Sequence, residues 1–344
     1  MIQEHGGNIY KYADVIDFSA NINPLGTPHG VIRAVEASAA QIGRYPDPDC
    51  TELTKKLSLH ENIPAENIVC GNGAADLIYR IAHAYRPKNA LIFAPTFGEY
   101  RKALTECGCT VREYTLHEER YFIPESDILG DLTADTDIAF LCTPNNPTGQ
   151  LIPPQLLSDI SERCRKNNIL LVCDECFLGF AENSERYSLR RCFNGRSIIL
   201  KAFTKLFAVP GLRIGYAVCG SPDAADSIRK SGQHWSVSIP AQNAGIAALD
   251  EADFVNKTVG YVKKERAFLR TELSAPGIRV FPSAANYIML KAMPGLDDLL
   301  LSENILIRNC SSYSGLSGSF YRIAVRTHEE NMMLISALRR CMNG

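Results

Sequence analysis

The sequence predicts an α/β fold, with a mostly parallel central sheet in a large unit and a smaller α+β unit beside it. Three features predict it. Through the middle of the 344-residue chain, short purely apolar runs alternate with amphipathic segments, the pattern of strands covered by helices on both faces. The connections between these runs are long enough for crossover helices, so neighbouring strands run parallel. After about Ser238 the order changes to a long helical stretch, shorter strands and a final helix.

In chain order, one amphipathic helix spans 31–41 and precedes the large unit. Strands follow at 90–94, 111–115, 138–142, 169–173, 197–201 and 213–219, with helices at 73–84, 97–107 and 153–166. The last of these helices has Pro near its first turn and Lys near its end, as helix termini prefer. A helical stretch over 253–273 leads into strands at 278–281, 287–291, 305–308 and 321–325, and a helix at 328–341 closes the chain. The expected division is a large unit at 44–245 and a small unit made of 1–43 and 246–344, because the N-terminal segment is too short to hold a core of its own.

Composition narrows the function. Lys and Arg number 36 against 38 Asp and Glu, and a net charge of -2 offers no field that would gather nucleic acid or an anionic membrane. Neither kind of partner is expected; a small molecule is. No apolar run approaches the ~18 residues needed to span a bilayer. Residues 1–5 lack the basic-then-apolar pattern of a secretory leader, so the expected location is the cytoplasm. Most of the twelve cysteines lie in apolar strands, as in Leu141-Cys142 and Val218-Cys219, where a free thiol packs as a small hydrophobe. Cys173 and Cys176 form a C-x-x-C, and Cys107-Gly-Cys109 is close to one, but no second pair stands at zinc-ribbon spacing and no metal is expected.

The residues that carry chemistry cluster at predicted strand ends. Lys205, where a strand runs into a Gly/Pro turn, is either a snorkelling surface residue or an amine whose pKa a desolvated pocket and nearby cations lower. Arg213, eight residues on, offers a fixed cation for a phosphate. Asp174 closes an apolar run, where ligands bind in open α/β sheets; it is either a helix cap or the partner of a protonated ring nitrogen. Gly73, Ala74 and Ala75 open a helix whose free N–H groups and dipole suit a phosphate. Phe97 is either a core aromatic or a plate for a planar ring, and Asn146, in Thr-Pro-Asn-Asn-Pro-Thr-Gly, can donate to a ring oxygen. Together these strand ends supply phosphate donors, a ring partner, an acid, an amine and a guanidinium.

The blocks Asn145-Asn-Pro-Thr-Gly149, Asp174-Glu-Cys-Phe177 and Thr204-Lys205 through Pro210-Gly-Leu-Arg213-Ile-Gly-Tyr216 occur in the order and over the whole length in which they resemble the fold type I pyridoxal-phosphate enzymes of the aspartate aminotransferase class. Two branches are closest, the histidinol-phosphate aminotransferases and the L-threonine-O-3-phosphate decarboxylases of cobalamin biosynthesis. Asp17-Phe-Ser-Ala-Asn-Ile-Asn23-Pro-Leu-Gly26, Arg44-Tyr-Pro-Asp47, Trp235-Ser-Val237 and Ile307-Arg-Asn-Cys310 are more similar to the second. The resemblance implies pyridoxal 5'-phosphate as cofactor, decarboxylation of a phosphorylated amino acid, and a homodimer with shared sites. It implies that Lys205 forms the Schiff base, Asp174 pairs with the ring nitrogen, Asn146 meets the ring oxygen and Phe97 stacks on the ring. Gly73, Ala74, Ala75, Thr204 and Arg213 would surround the cofactor phosphate, with Tyr45 reaching in from the neighbouring subunit. His5, Asn23, Leu25, Gly26, Asn146, Arg308 and Arg322 would hold the substrate, with the division of phosphate and carboxylate between the two arginines left open. Two positions depart from the family pattern. Ala202 stands where a Ser or Thr often bonds the phosphate, and Phe177 where aminotransferases commonly carry Tyr.

Overall fold

The computed structural model describes residues 6–12 and 14–343. Its strands are, in order, β1 (Ile16–Asp17), β2 (Ile68–Gly71), β3 (Asn89–Ala94), β4 (Thr110–Thr115), β5 (Ile138–Cys142), β6 (Leu170–Asp174), β7 (Ser197–Ala202), β8 (Gly215–Cys219), β9 (Arg279–Val280), β10 (Tyr287–Lys291), β11 (Ile305–Leu306), β12 (Arg308–Asn309) and β13 (Phe320–Ala324). Seven of them form the large sheet, in the order β2-β8-β7-β6-β5-β3-β4. β3 to β7 pair in parallel, whereas β8 runs antiparallel to both β7 and β2. The reversal follows from chain length. Only 203–214 link β7 to β8, holding a one-turn helix, Phe203–Leu206, and a 3-10 turn, Pro210–Leu212, too little for the crossover a parallel neighbour requires.

Alternation along each central strand builds a core on both faces. Leu91, Phe93, Ala139, Leu141, Leu171 and Cys173 face one cluster, and Ala90, Ile92, Ile138, Phe140, Leu170 and Val172 the other. Each large apolar side chain buried in this way contributes about 1.5–3 kcal/mol. All twelve cysteines are free thiols, several of them packed in these clusters. Helices Gly73–Tyr85 and Pro154–Lys166 stand close to their predicted bounds. β2 and the helices Thr51–Glu61, Pro222–Lys230 and Ile239–Ala248 lie where no element is predicted. The predicted strand at 213–219 starts later, at Gly215, because Arg213 takes a left-handed φ of 54° at the end of the 3-10 turn.

The C-terminal part carries a four-stranded antiparallel sheet, β12-β13-β10-β9, covered by Ala252–Glu272 and His328–Asn343. The stretch predicted as one strand at 305–308 divides: β11 pairs with β1, and β12 with β13. Residues 16–18 thereby join the C-terminal layer, with Phe18 fully buried in its core. Helix His29–Ser38 lies instead against Ile239–Ala248. Among the described residues, no helix is long and apolar enough to cross a membrane, and no group of three His, Cys, Asp or Glu side chains is placed to hold a metal ion.

Candidate active site

β2, β3, β5, β6 and β7 all present their carboxyl ends at one edge of the large sheet, and β8, being reversed, brings its start there. A cavity of about 450 Å³ opens at this edge, closed on its far side by the small sheet. The reversal accounts for Arg213: it precedes a strand, yet it reaches the same cavity as residues that follow strands.

Lys205 sits in the single helical turn after β7 and lines the cavity. Its Nζ has no hydrogen-bond or ion-pair partner among the described residues. Burial first, then the neighbouring guanidiniums of Arg322 and Arg213, lower its pKa to about 8, with Cys176 and Asp174 pulling the other way. A substantial fraction of this amine is neutral near physiological pH, as a nucleophile requires.

Asp174, the last residue of β6, is 5% exposed. Its Oδ1 accepts from the Cys176 backbone N–H at 2.9 Å, and its Oδ2 from the Tyr100 hydroxyl at 2.6 Å. Tyr100 is fully buried between Phe140, on which it stacks, and Phe97, which meets it edge-on. It is a site residue that sequence reasoning missed, although it stands three positions after Phe97 on the same strand-to-helix junction and so shares its face. Tyr100→Phe leaves a buried carboxylate oxygen short of its donor. The expected cost is roughly 1–3 kcal/mol of stability, read as a lower urea midpoint of the cofactor-free protein with unchanged m.

Gly73 opens helix Gly73–Tyr85 with φ +83°, and a Cβ there would stand 2.8 Å from Arg213 Nη2. Only glycine lets the guanidinium lie against the helix start, so N–H groups, dipole and cation converge on one point. Ala74, Ala75 and the buried Thr204 line the cavity here, as does Ala202, whose methyl supplies no donor. Phe97 and Phe177 also line it, and Phe177 packs edge-on against Tyr287.

At the small-sheet side, Arg308 and Arg322 stand directly opposite each other on β12 and β13. They are 9% and 6% exposed, and neither has an ion-pair partner among the described residues. Arg322 donates to Asn146 Oδ1 at 2.5 Å and to the Ser19 carbonyl at 2.6 Å, while its buried Nε has no partner among the described residues. Arg308 donates to Ser312 Oγ and lies over the Tyr313 ring. Asn146, which lines the cavity, also accepts from the Tyr313 hydroxyl at its Oδ1, and Tyr313 Oη is 3.5 Å from Arg322 Nη1. Tyr313, likewise missed in the sequence, thus touches both arginines. Two like charges directly opposite on adjacent strands repel, and burial strengthens the effect. The pair is an acceptor for anions.

Other predicted residues fall elsewhere. Asn23 donates to the Leu206 carbonyl and to Thr258 Oγ1, and its N–H bonds the Lys205 carbonyl. Its polar groups therefore brace the Lys205 turn from outside, and Leu25 and Gly26 are exposed beyond it, off the cavity lining. Tyr45 is 76% exposed and stacks on Trp235, also away from this cavity. His5 lies outside the described residues, while Gly6 lines the cavity.

A lysine and an aspartate at neighbouring strand ends, a helix-start cradle and a large mostly parallel sheet beside a smaller antiparallel one define a class that comparison with known proteins identifies. Residues 13–338 match the family Aminotransferase class I and II, and the chain belongs to it. The chain is similar to the threonine-phosphate decarboxylase of Salmonella typhimurium, with 39% identity over 99% of this chain and 97% of that protein. It is also similar to the histidinol-phosphate aminotransferase of Methanococcoides burtonii, with 31% identity over 94% of this chain and 89% of that one. Among solved structures, the histidinol-phosphate aminotransferase from Clostridium acetobutylicum matches with a TM-score of 0.89 at 27% identity, over 95% of this chain and 98% of that one.

Proposed function

We propose that this protein is a pyridoxal-phosphate-dependent carboxy-lyase that converts L-threonine O-3-phosphate to (R)-1-amino-2-propanol O-2-phosphate and carbon dioxide, a step of cobalamin biosynthesis. The observation that carries the reading is the pair Arg308 and Arg322, buried, opposite each other and without an ion-pair partner among the described residues, in the wall of the cavity that Lys205 also lines. A substrate with a phosphate, a carboxylate and an amine matches all three groups.

The residues present fit the cofactor. Lys205 Nζ, without a partner among the described residues, can hold its aldehyde carbon, Asp174 its ring nitrogen, Asn146 its ring oxygen and Phe97 its face. The Gly73–Ala75 turn, Thr204 and Arg213 form an anion cradle that a side chain at position 73 would fill. When bound, the cofactor supplies a carbon that takes up amines and a cationic ring that accepts the electron pair left as a carboxylate departs. Asp174, held by Tyr100 and the Cys176 N–H, keeps an anion facing that ring nitrogen. Arg308 and Arg322 orient the substrate, and their direction decides which bond at the α-carbon is broken. Lys205 Nζ would hold a proton and could supply it to the α-carbon once the carboxylate has left.

Histidinol phosphate carries an amine and a phosphate but no carboxylate, and so would leave one of the two guanidiniums uncompensated. Serine phosphate lacks only a methyl, worth ~1–3 kcal/mol of discrimination. The deciding assay offers threonine phosphate, serine phosphate and histidinol phosphate separately, without any keto acid. Release of carbon dioxide from threonine phosphate in step with aminopropanol phosphate is the expected result. Amino transfer to 2-oxoglutarate with no carbon dioxide would overturn the reading. The working unit is proposed to be a homodimer: Tyr45 is exposed, stacked on Trp235 and directed away from its own chain's cavity, which suits a residue donated to a neighbouring site.

A further inference from the structure

Two cysteines that stand out in no sequence motif meet in the structure. Cys50 immediately precedes helix Thr51–Glu61 and takes a left-handed φ of 49°, and Cys70 lies in β2. The packing of that helix on β2 sets both cysteines in the wall of one cavity, linked through Thr54, whose backbone N–H donates to the Cys50 carbonyl at 2.8 Å. Thr54, one turn into the helix, sets its Oγ1 3.7 Å from Cys70 Sγ. Both cysteines line a cavity of about 300 Å³, distinct from the one at the strand ends, whose walls include Arg80, Arg229, Lys230 and His234. Arg80 is 6% exposed and held in place by Asp76 and Ser236.

The pair is asymmetric. Cys70 is half-buried, and the neighbouring Cys50, helped by Thr54, Arg229 and Arg80, lowers its pKa against the opposing effect of burial. Cys50 is buried, and the neighbouring Cys70 together with burial pushes its thiol far up. One sulfur is thus disposed to be the thiolate and its neighbour the thiol, beside fixed cations and a cavity that admits a small molecule. This is the arrangement of an attacking and a resolving cysteine. Elsewhere in the chain, burial alone raises Cys164 to about 12, and burial followed by the charge of Glu175 raises Cys173 well above its ordinary range.

We propose that Cys50 and Cys70 form an oxidation site that a hydroperoxide converts to an intramolecular disulfide. Cys70 sulfur attacks the terminal peroxide oxygen, the O–O bond breaks, and the departing oxygen leaves as an alcohol, or as water from hydrogen peroxide. The resulting sulfenic acid is attacked by Cys50 sulfur. The S–O bond breaks, and hydroxide leaves with the Cys50 proton as water. Two thiols lose two electrons in all, and the peroxide gains them. The bond would tie helix Thr51–Glu61 to the strand that leads through Gly71 and Asn72 into the Gly73 cradle.

The test treats the cofactor-loaded protein with a few equivalents of hydrogen peroxide and reads intact mass, free thiols and proteolytic peptides. The wild type is expected to become about 2 Da lighter, to lose two thiols, and to yield a Cys50–Cys70 linked peptide that dithiothreitol separates. Cys50→Ser is expected to stop at a Cys70 sulfenic acid, about 16 Da heavier and trapped by dimedone. Cys70→Ser is expected to leave Cys50 unmodified. Absence of the linked peptide in the wild type, or peroxide reacting first at the half-buried Cys107, would overturn the proposal. The wild-type peptide map decides the matter even if a variant fails to fold.

Discussion

Lys205→Ala is expected to lower turnover by at least ~10³-fold, because one amine supplies both the covalent hold on the cofactor and the proton for the α-carbon. The same change should abolish borohydride-fixed labelling of the protein by the cofactor, with the far-ultraviolet circular dichroism unchanged. Lys205→Arg keeps the charge and loses the nucleophile, and should be as inactive. Retention of more than about a tenth of wild-type activity in either variant would remove Lys205 from the reaction, since a positioned acid–base group contributes ~10²-fold or more. The pH dependence has a definite sign. Burial and the guanidiniums of Arg322 and Arg213 disfavour the charged amine and bring its pKa down from 10.5 to about 8. Uptake of cofactor by the apo-protein should therefore quicken as pH rises toward 8 and level off above it. In the apo-protein, the unfolded state binds more protons at this position between about pH 8 and the ordinary lysine value, so stability from this group rises through that window.

Asp174→Ala should reduce turnover by roughly 10²–10⁴-fold, the equivalent of ~3–5 kcal/mol for removing one partner of a buried charge pair. Two effects are mixed in that number, since Tyr100 also loses its acceptor. Asp174→Asn separates them: it preserves the shape and an oxygen for Tyr100 while removing the charge. If charge at the ring nitrogen is what matters, Asn should be nearly as impaired as Ala in turnover while remaining close to wild type in urea midpoint. Near-normal turnover in Asp174→Asn would dismiss the electrostatic role.

The parallel strands were legible because Ile138–Cys142 and Leu170–Asp174 are apolar on both faces, a pattern that depends only on local sequence. Lys205, Asp174 and Arg213 were legible for a related reason: strand ends can be located from where apolar runs stop. β2 escaped because Ile68-Val-Cys-Gly is only four residues long, and helix Thr51–Glu61 because only Leu53 and Leu57 of it are buried. Tyr100 and Tyr313 could not be assigned from sequence, since their roles exist only through partners 74 and 167 residues away. The facing of Arg308 and Arg322 is a matter of strand register, which depends on how β12 and β13 meet and leaves no mark in either segment alone. Asn23 stands in a block of sequence that looks like a ligand site, and its amide is instead spent on Leu206 and Thr258.

The reversed strand β8 has a consequence for how this molecule can change over evolution or in engineering. Lys205 and Arg213 sit on one short excursion between β7 and β8, pinned at both ends by antiparallel pairing that runs from Ala202 opposite Gly215. The distance between amine and guanidinium is therefore constrained by the length of 203–214. Exposed surface connections can lengthen with little effect on the cavity, whereas a single inserted residue within 206–212 would shift one group against the other. That excursion acts as the molecule's ruler, and its length is the dimension of the site least free to drift.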